Sequence, residues 1–234
     1  EDFFTDDTMN VTIRRVKAIG NEILRRDLRI GWIANFRPDP TTPGLFRLMK
    51  KAGCTKILLG VESGSQRILD ESIGKEITLR EVEDAIRWAR QAGIRVHCTY
   101  ALGAPGETRE TLQETLEFIK RTDPDDIQVS LMTPLPGTPF YERVKDQVAD
   151  WRDFDGVSGR SWCDLSTEEL RNAMNRIYAE HYLAPLRVLR RVARIRNLCD
   201  IRENWRQFKA LLSRYAATGL PRPIGAPYKG QEQA

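Results

Sequence analysis

The sequence has 234 residues, 41% of them hydrophobic and 30% charged, with a formal net charge of +4. That length and apolar share build a folded core and exclude a disordered chain, and so slight a charge does not by itself call for a nucleic-acid partner. No apolar run approaches the ~20 residues needed to cross a bilayer, and the acidic opening Glu1-Asp-Phe-Phe-Thr-Asp-Asp7 is unlike a secretory signal, so a soluble cytoplasmic protein is expected.

The segment from Asn10 to about Asp27 carries Ile13, Val16, Ile23 and Leu24 at helical spacing, and Ile30 to Phe36 is a short apolar run that reads as a strand. Thr42 with Pro43 opens a second helix through Leu45, Leu48, Met49 and Ala52, which Gly53 ends. After a strand from Lys56 to Val61, Thr78 and Glu81 form a capping box ahead of Leu79, Val82, Ile86 and Ala89, with Gly93 as the stop. A strand from Arg95 to Leu102, a helix from Thr108 through Leu112, Leu116 and Ile119, and a strand from Ile127 to Met132 follow. The near-continuous hydrophobicity of these strands suits a parallel sheet covered on both faces. "KKAGCTKILLGVESG" and "RQAGIRVHCTYALGAPG" repeat the order helix, Ala-Gly, strand, glycine-rich loop, each one unit of a wound or barrel α/β fold.

Beyond Pro139 the pattern changes. Val144 to Trp162 is mixed and loop-like, and Ser166 with Glu169 caps a helix bearing Leu170, Ala173, Met174, Ile177 and Tyr178. The chain then looks helical and basic to about Ala217. From Pro185 to Arg214, Arg and Lys outnumber Asp and Glu nine to two, which reads as a solvated helix face or, alternatively, a docking surface for an acidic partner, RNA or another domain. The division expected is residues 1–142 as the α/β part, 143–165 as a linker, 166–217 as a basic helical region and 218–234 as a disordered tail. Cys54, Cys98, Cys163 and Cys199 lie too far apart for a zinc or iron–sulfur loop, so they read as buried free thiols in a reducing compartment and no metal ligand is assigned.

In parallel α/β folds ligands bind at the carboxyl ends of the strands. Those ends carry Asp6 and Asp7, Arg37 and Asp39, Glu62 with Ser63, Gly64 and Ser65, Gly103 to Glu107, and Thr133 to Thr138. Singly, each has a structural explanation as a cap, a local ion pair or a turn. Together they offer a partner for an amine at Asp6 or Asp7, for a carboxylate or phosphate at Arg37 and for a diol at Glu62, with glycines 60, 64, 103 and 106 admitting a flat group. Those are the parts of an amino-acid nucleoside.

"FFTDDTMN", "IGWIANFRPD", "MKKAGCTKILLGVESGSQRIL", "YALGAPGETRETL" and "LMTPLPGTPFY" resemble, in order and spacing, the second to sixth strands of the radical S-adenosylmethionine (SAM) enzymes, most closely the class with a cobalamin-binding domain in front. The resemblance covers roughly residues 1 to 142, and the stretch "STEELRNAMNRIYAEHYLAPLRVLRR" is similar to the helical region that follows the barrel in that class. It implies an α/β fold, a partial TIM-type (β/α)6 barrel with strands two to six present, followed by a C-terminal helical region. It further implies that Asp6 and Asp7 meet the methionine amine and that Arg37, Glu62, Ser63 and Gly64 hold the methionyl carboxylate and ribose. Gly103 and Ala104 of "ALGAPGE" would support adenine through backbone, and Met132 and the residues after it would flank the ring. The family's Cys-x-x-x-Cys-x-x-Cys loop, which holds the 4Fe-4S cluster, is absent from the sequence, so a C-terminal fragment is expected, with an upstream segment bearing cluster and cobalamin.

The implied activity of the complete protein is radical chemistry on a small-molecule or natural-product-like substrate, cobalamin-dependent C-methylation or rearrangement, with an electron-donor protein as partner; the fragment alone would be inactive. RNA is not an expected partner. The alternatives are a methylthiotransferase or other radical SAM branch without cobalamin, an aldolase or isomerase on a similar barrel, and a non-catalytic nucleotide- or RNA-binding module. No strand ends in lysine and the histidines are only His97, in a strand, and His181, on a helix, which disfavours the aldolase.

Overall fold

A computed structural model describes residues 2–148, 160–185, 188, 189 and 209. Five strands, β1 (Asp2–Phe4), β2 (Trp32–Phe36), β3 (Cys54–Glu62), β4 (Arg95–Leu102) and β5 (Asp126–Leu131), form one sheet in the order of the chain. The β1–β2, β2–β3 and β3–β4 pairs are parallel, and helices α1 (Ile13–Arg25), α2 (Pro43–Lys51), α4 (Leu79–Gln91) and α5 (Arg109–Thr122) connect successive strands, with a short α3 (Gln66–Ile68) between β3 and α4. This is the open, partial (β/α) barrel, and α7 (Thr167–Tyr182) supplies the helical region after it. A short α6 (Pro139–Val144) lies between β5 and α7.

The chain divides into two compact units, one of Glu1–Ala101 with Glu117–Ser130, the other of Leu102–Leu116 with Leu131–Ala234. In the first, Trp32, Ala34 and Phe36 of β2 are buried while Ile33 and Asn35 between them are half-buried. The even set faces the helices, because Trp32 Nε1 donates to Ala52 O at the end of α2 at 2.7 Å. Coverage is thus tighter on one face than the run of apolar residues had predicted. Behind the strands pack Leu45, Phe46 and Met49 of α2 and Val82, Ala85, Ile86 and Ala89 of α4, all buried, each large side chain contributing about 1.5–3 kcal/mol.

The helix signals act as read. Thr78 and Glu81 form a reciprocal capping box, as do Ser166 and Glu169, and Thr42 accepts from Leu45 N. Gly53 and Gly93 take the left-handed conformation just past their helices. In α1, Val16 and Ile23 are buried but Leu24 is exposed; Gly20 is buried instead, where an added Cβ would lie 3.3 Å from Leu48 Cγ, so the small residue sets how closely α1 and α2 approach. Cys54, Cys98 and Cys163 form no disulfide among the described residues; Cys54 and Cys98 are buried as expected, whereas Cys163 is half-buried. Cys199, residues 149–159, the tail from 218 and, apart from Lys209, the basic stretch from 190 to 214 lie outside the described residues. Among the described residues no helix is long and apolar enough to cross a membrane.

Candidate functional site

Parallel pairing brings the carboxyl ends of β1, β2 and β3 to one edge of the sheet in the first unit. After β1, Asp6 Oδ1 accepts from Arg15 Nη2 of α1 at 2.8 Å, and Asp7 is exposed with no ion pair to a described residue. After β2, the half-buried Arg37 pairs with Asp39 at 3.1 Å. Asn10 joins the two exits: its Oδ1 accepts from Arg37 N at 2.8 Å, and its Nδ2 donates to Arg37 O at 2.9 Å and to Pro40 O at 3.3 Å. Asn10 is fully buried, so these bonds satisfy an amide that would otherwise be costly to desolvate. Asn35 Nδ2 adds a bond to Asp6 O at 3.2 Å.

At the end of β3 the ladder with β4 slips between Gly60 and Glu62, and Glu62 takes a left-handed backbone, φ 72°. Its carboxylate folds back over Gly60, where an added Cβ would meet Glu62 Oε1 at 2.9 Å and Lys75 Nζ at 3.0 Å. Lys75 Nζ donates to Gly60 O at 2.7 Å and pairs with Glu62 Oε1 at 2.9 Å, the two side chains being 15% and 30% exposed. Lys75 reaches this place because a π-helical turn, Leu69–Ile73, closes on Gly74 in the left-handed conformation. Next along the loop Ser63 and Gly64 are buried, and Ser63 Oγ accepts from Ser65 N at 3.1 Å. Ser65 Oγ is buried with no hydrogen-bond partner among the described residues.

The remaining predicted residues lie in the second unit. Gly103, φ 87°, is doubly constrained, since an added Cβ would also stand 2.7 Å from Leu170 Cδ1 of α7. Its N–H donates to Glu107 Oε2, and Ala104 beside it is fully buried. Burial pushes the Glu107 carboxyl from 4.5 up to about 7, against the pull of the Gly103 and Ala104 amides. Glu107 Oε1 has no partner among the described residues. Met132 N donates to Leu102 O at 2.7 Å, and Met132 O accepts from Trp162 Nε1 at 3.1 Å.

The structure therefore gathers Asp6, Asp7, Arg37, Glu62, Ser63 and Gly64 on three adjacent strand ends of one unit, and Gly103, Ala104 and Met132 in the loops of the other. Lys75 and the Asn10 clamp were not found from the sequence. The 13-residue separation of Lys75 from Glu62 and the 27-residue separation of Asn10 from Arg37 match no local spacing rule. Glu107, read only as part of a loop motif, carried no sign of its burial. Among the described residues no group of three or more His, Cys, Asp or Glu could hold a metal ion.

A family model described as the radical SAM superfamily matches residues 4–119. An uncharacterized methyltransferase of Pyrococcus horikoshii is 31% identical over 187 residues, 78% of this chain and 40% of that protein. The anaerobic magnesium-protoporphyrin IX monomethyl ester cyclase of Cereibacter sphaeroides is 36% identical over 143 residues, 58% of this chain and 23% of that protein. Among solved structures, the radical SAM methyltransferase TsrM of Kitasatospora setae, seen with cobalamin and a 4Fe-4S cluster and with tryptophan substrate and aza-SAM, is similar with a TM-score of 0.57 and 26% identity. That match covers 63% of this chain and 30% of TsrM. The chain spans less than half the length of each of these relatives.

Proposed function

The chain belongs to the radical SAM superfamily, and on that footing we propose that it is the SAM-binding part of a cobalamin-dependent radical SAM enzyme that transfers a methyl group to a small-molecule substrate. The observation that carries the reading is the end of β3. A carboxylate on a left-handed backbone, a buried hydroxyl with open hydrogen-bonding capacity at Ser65 and small residues at Gly60 and Gly64 make a thin wall suited to a ribose diol. When bound, SAM supplies the methyl group or, on reductive cleavage, the radical. Glu62 accepts from the sugar hydroxyls, Lys75 aims that carboxylate, and Asp6 or Asp7 accepts from the methionine ammonium. Arg37 pairs with the methionyl carboxylate. The described residues offer no ligand set for an iron–sulfur cluster, so the role proposed for them is to bind and orient SAM, and none is assigned to cobalamin.

The methyltransferase and cobalamin parts of the proposal are supported by the Pyrococcus relative and by TsrM. Titration calorimetry of the chain with SAM tests the site: binding is expected, and Glu62→Ala is expected to weaken it about tenfold, the value of one charged hydrogen-bonding contact. SAM affinity unchanged by that substitution would remove the ribose assignment.

A further inference from the structure

A cavity of about 440 Å³ lies wholly within the second unit, a volume in the range of small-ligand pockets. Two aromatic rings form part of its wall. Phe140 meets Trp162 edge to face, centroids 5.6 Å apart, and the indole is fixed from behind by its Nε1 bond to Met132 O. Trp162 N also donates to Gly103 O at 3.3 Å, so the ring is preset by three separate stretches of chain.

Two guanidiniums complete the cavity. Arg160 lies over the Trp162 ring at 5.4 Å and spends one donor on Gln147 O at 3.4 Å, leaving most of its fork open among the described residues. Arg143 is exposed and, like Arg160, forms no ion pair with a described residue. Against these two positive charges the described lining residues include one carboxylate, Asp164. Cys163 beside it adds no charge at neutral pH, because burial raises its thiol above the ordinary value. A cavity with a preset indole wall and an excess of planar cations selects a flat ring bearing a negative group, since the guanidinium fork matches a carboxylate in geometry as well as charge.

We propose that this cavity is a binding site for a small planar aromatic acid, its carboxylate taken by Arg143 and Arg160 and its ring by Trp162 and Phe140. The site stands on its own geometry and does not require that SAM bind the strand ends.

Calorimetry of the full chain with 2-naphthoate tests it, with 2-naphthamide as the uncharged planar control and cyclohexanecarboxylate as the charged, non-planar one. Naphthoate is expected to bind, each control to bind about tenfold more weakly, and Arg160→Ala and Arg143→Ala each to cost naphthoate about tenfold. Both arginines are exposed, so the variants should keep the fold, which circular dichroism checks. Glu62→Ala, which bears on SAM, should leave naphthoate affinity unchanged, so failure of one site is read separately from failure of the other. Equal affinity for naphthoate and naphthamide, indifference to both arginine substitutions, or no heat up to about 10 mM naphthoate would each overturn the proposal.

Discussion

At Glu62 the backbone stands where a β-carbon is penalised, φ 72°, and glycine would sit there at no cost. A carboxylate kept at such a position points to use rather than to folding. Glu62→Ala and Glu62→Gly remove the same carboxylate and the same ion pair with Lys75, but only alanine keeps the backbone penalty. Glu62→Gly is therefore expected to be more stable than Glu62→Ala in urea denaturation by about 1 kcal/mol, and an alanine variant as stable as the glycine one would show that the residue carries no strain. The sequence made Glu62 legible through an apolar run ending on an acid and glycines. It hid Lys75, because the ion pair depends on a widened helical turn whose extra residue leaves no mark in the apolar period.

Among the elements, helix ends were more legible than strand faces. The capping boxes at Thr78 and Ser166 involve contacts three residues apart, so local spacing specifies them. Thr78→Ala is expected to destabilise the protein by about 1 kcal/mol, measured as a lower urea midpoint with unchanged slope. A neutral result would mean that packing of Val82, Ile86 and Ala89, rather than the cap, fixes the start of α4. Strand coverage and the exposed Leu24 were misread because apolar content gives no direction: which side of an element is covered depends on partners distant in sequence, such as Leu48 against Gly20. Strands β2 to β5 were read as apolar runs between helix signals, whereas β1 and the partial-barrel arrangement came from the resemblance to the radical SAM enzymes.

For the molecule as a whole, Glu107 ties stability to acidity. Its carboxyl titrates near 7 in the folded protein and near 4.5 ordinarily, so folding takes up a proton between those values. The contribution is complete below about pH 4.5 and is lost as pH rises through 7, of the order of 3 kcal/mol across the window. Glu107→Gln, uncharged throughout, should flatten that fall, so that its melting temperature exceeds the parent's at pH 8 and approaches it at pH 5. Parallel curves for the two proteins would show that the carboxyl is not held neutral. The arrangement of the sheet carries a different consequence. Its spatial order repeats its order in the chain, with no strand skipped, so each pairing joins strands that are consecutive in sequence. A polypeptide leaving the ribosome can therefore lay down the wall strand upon strand, every newcomer finding its template already made, and no early edge has to wait for a distant late segment to cover it.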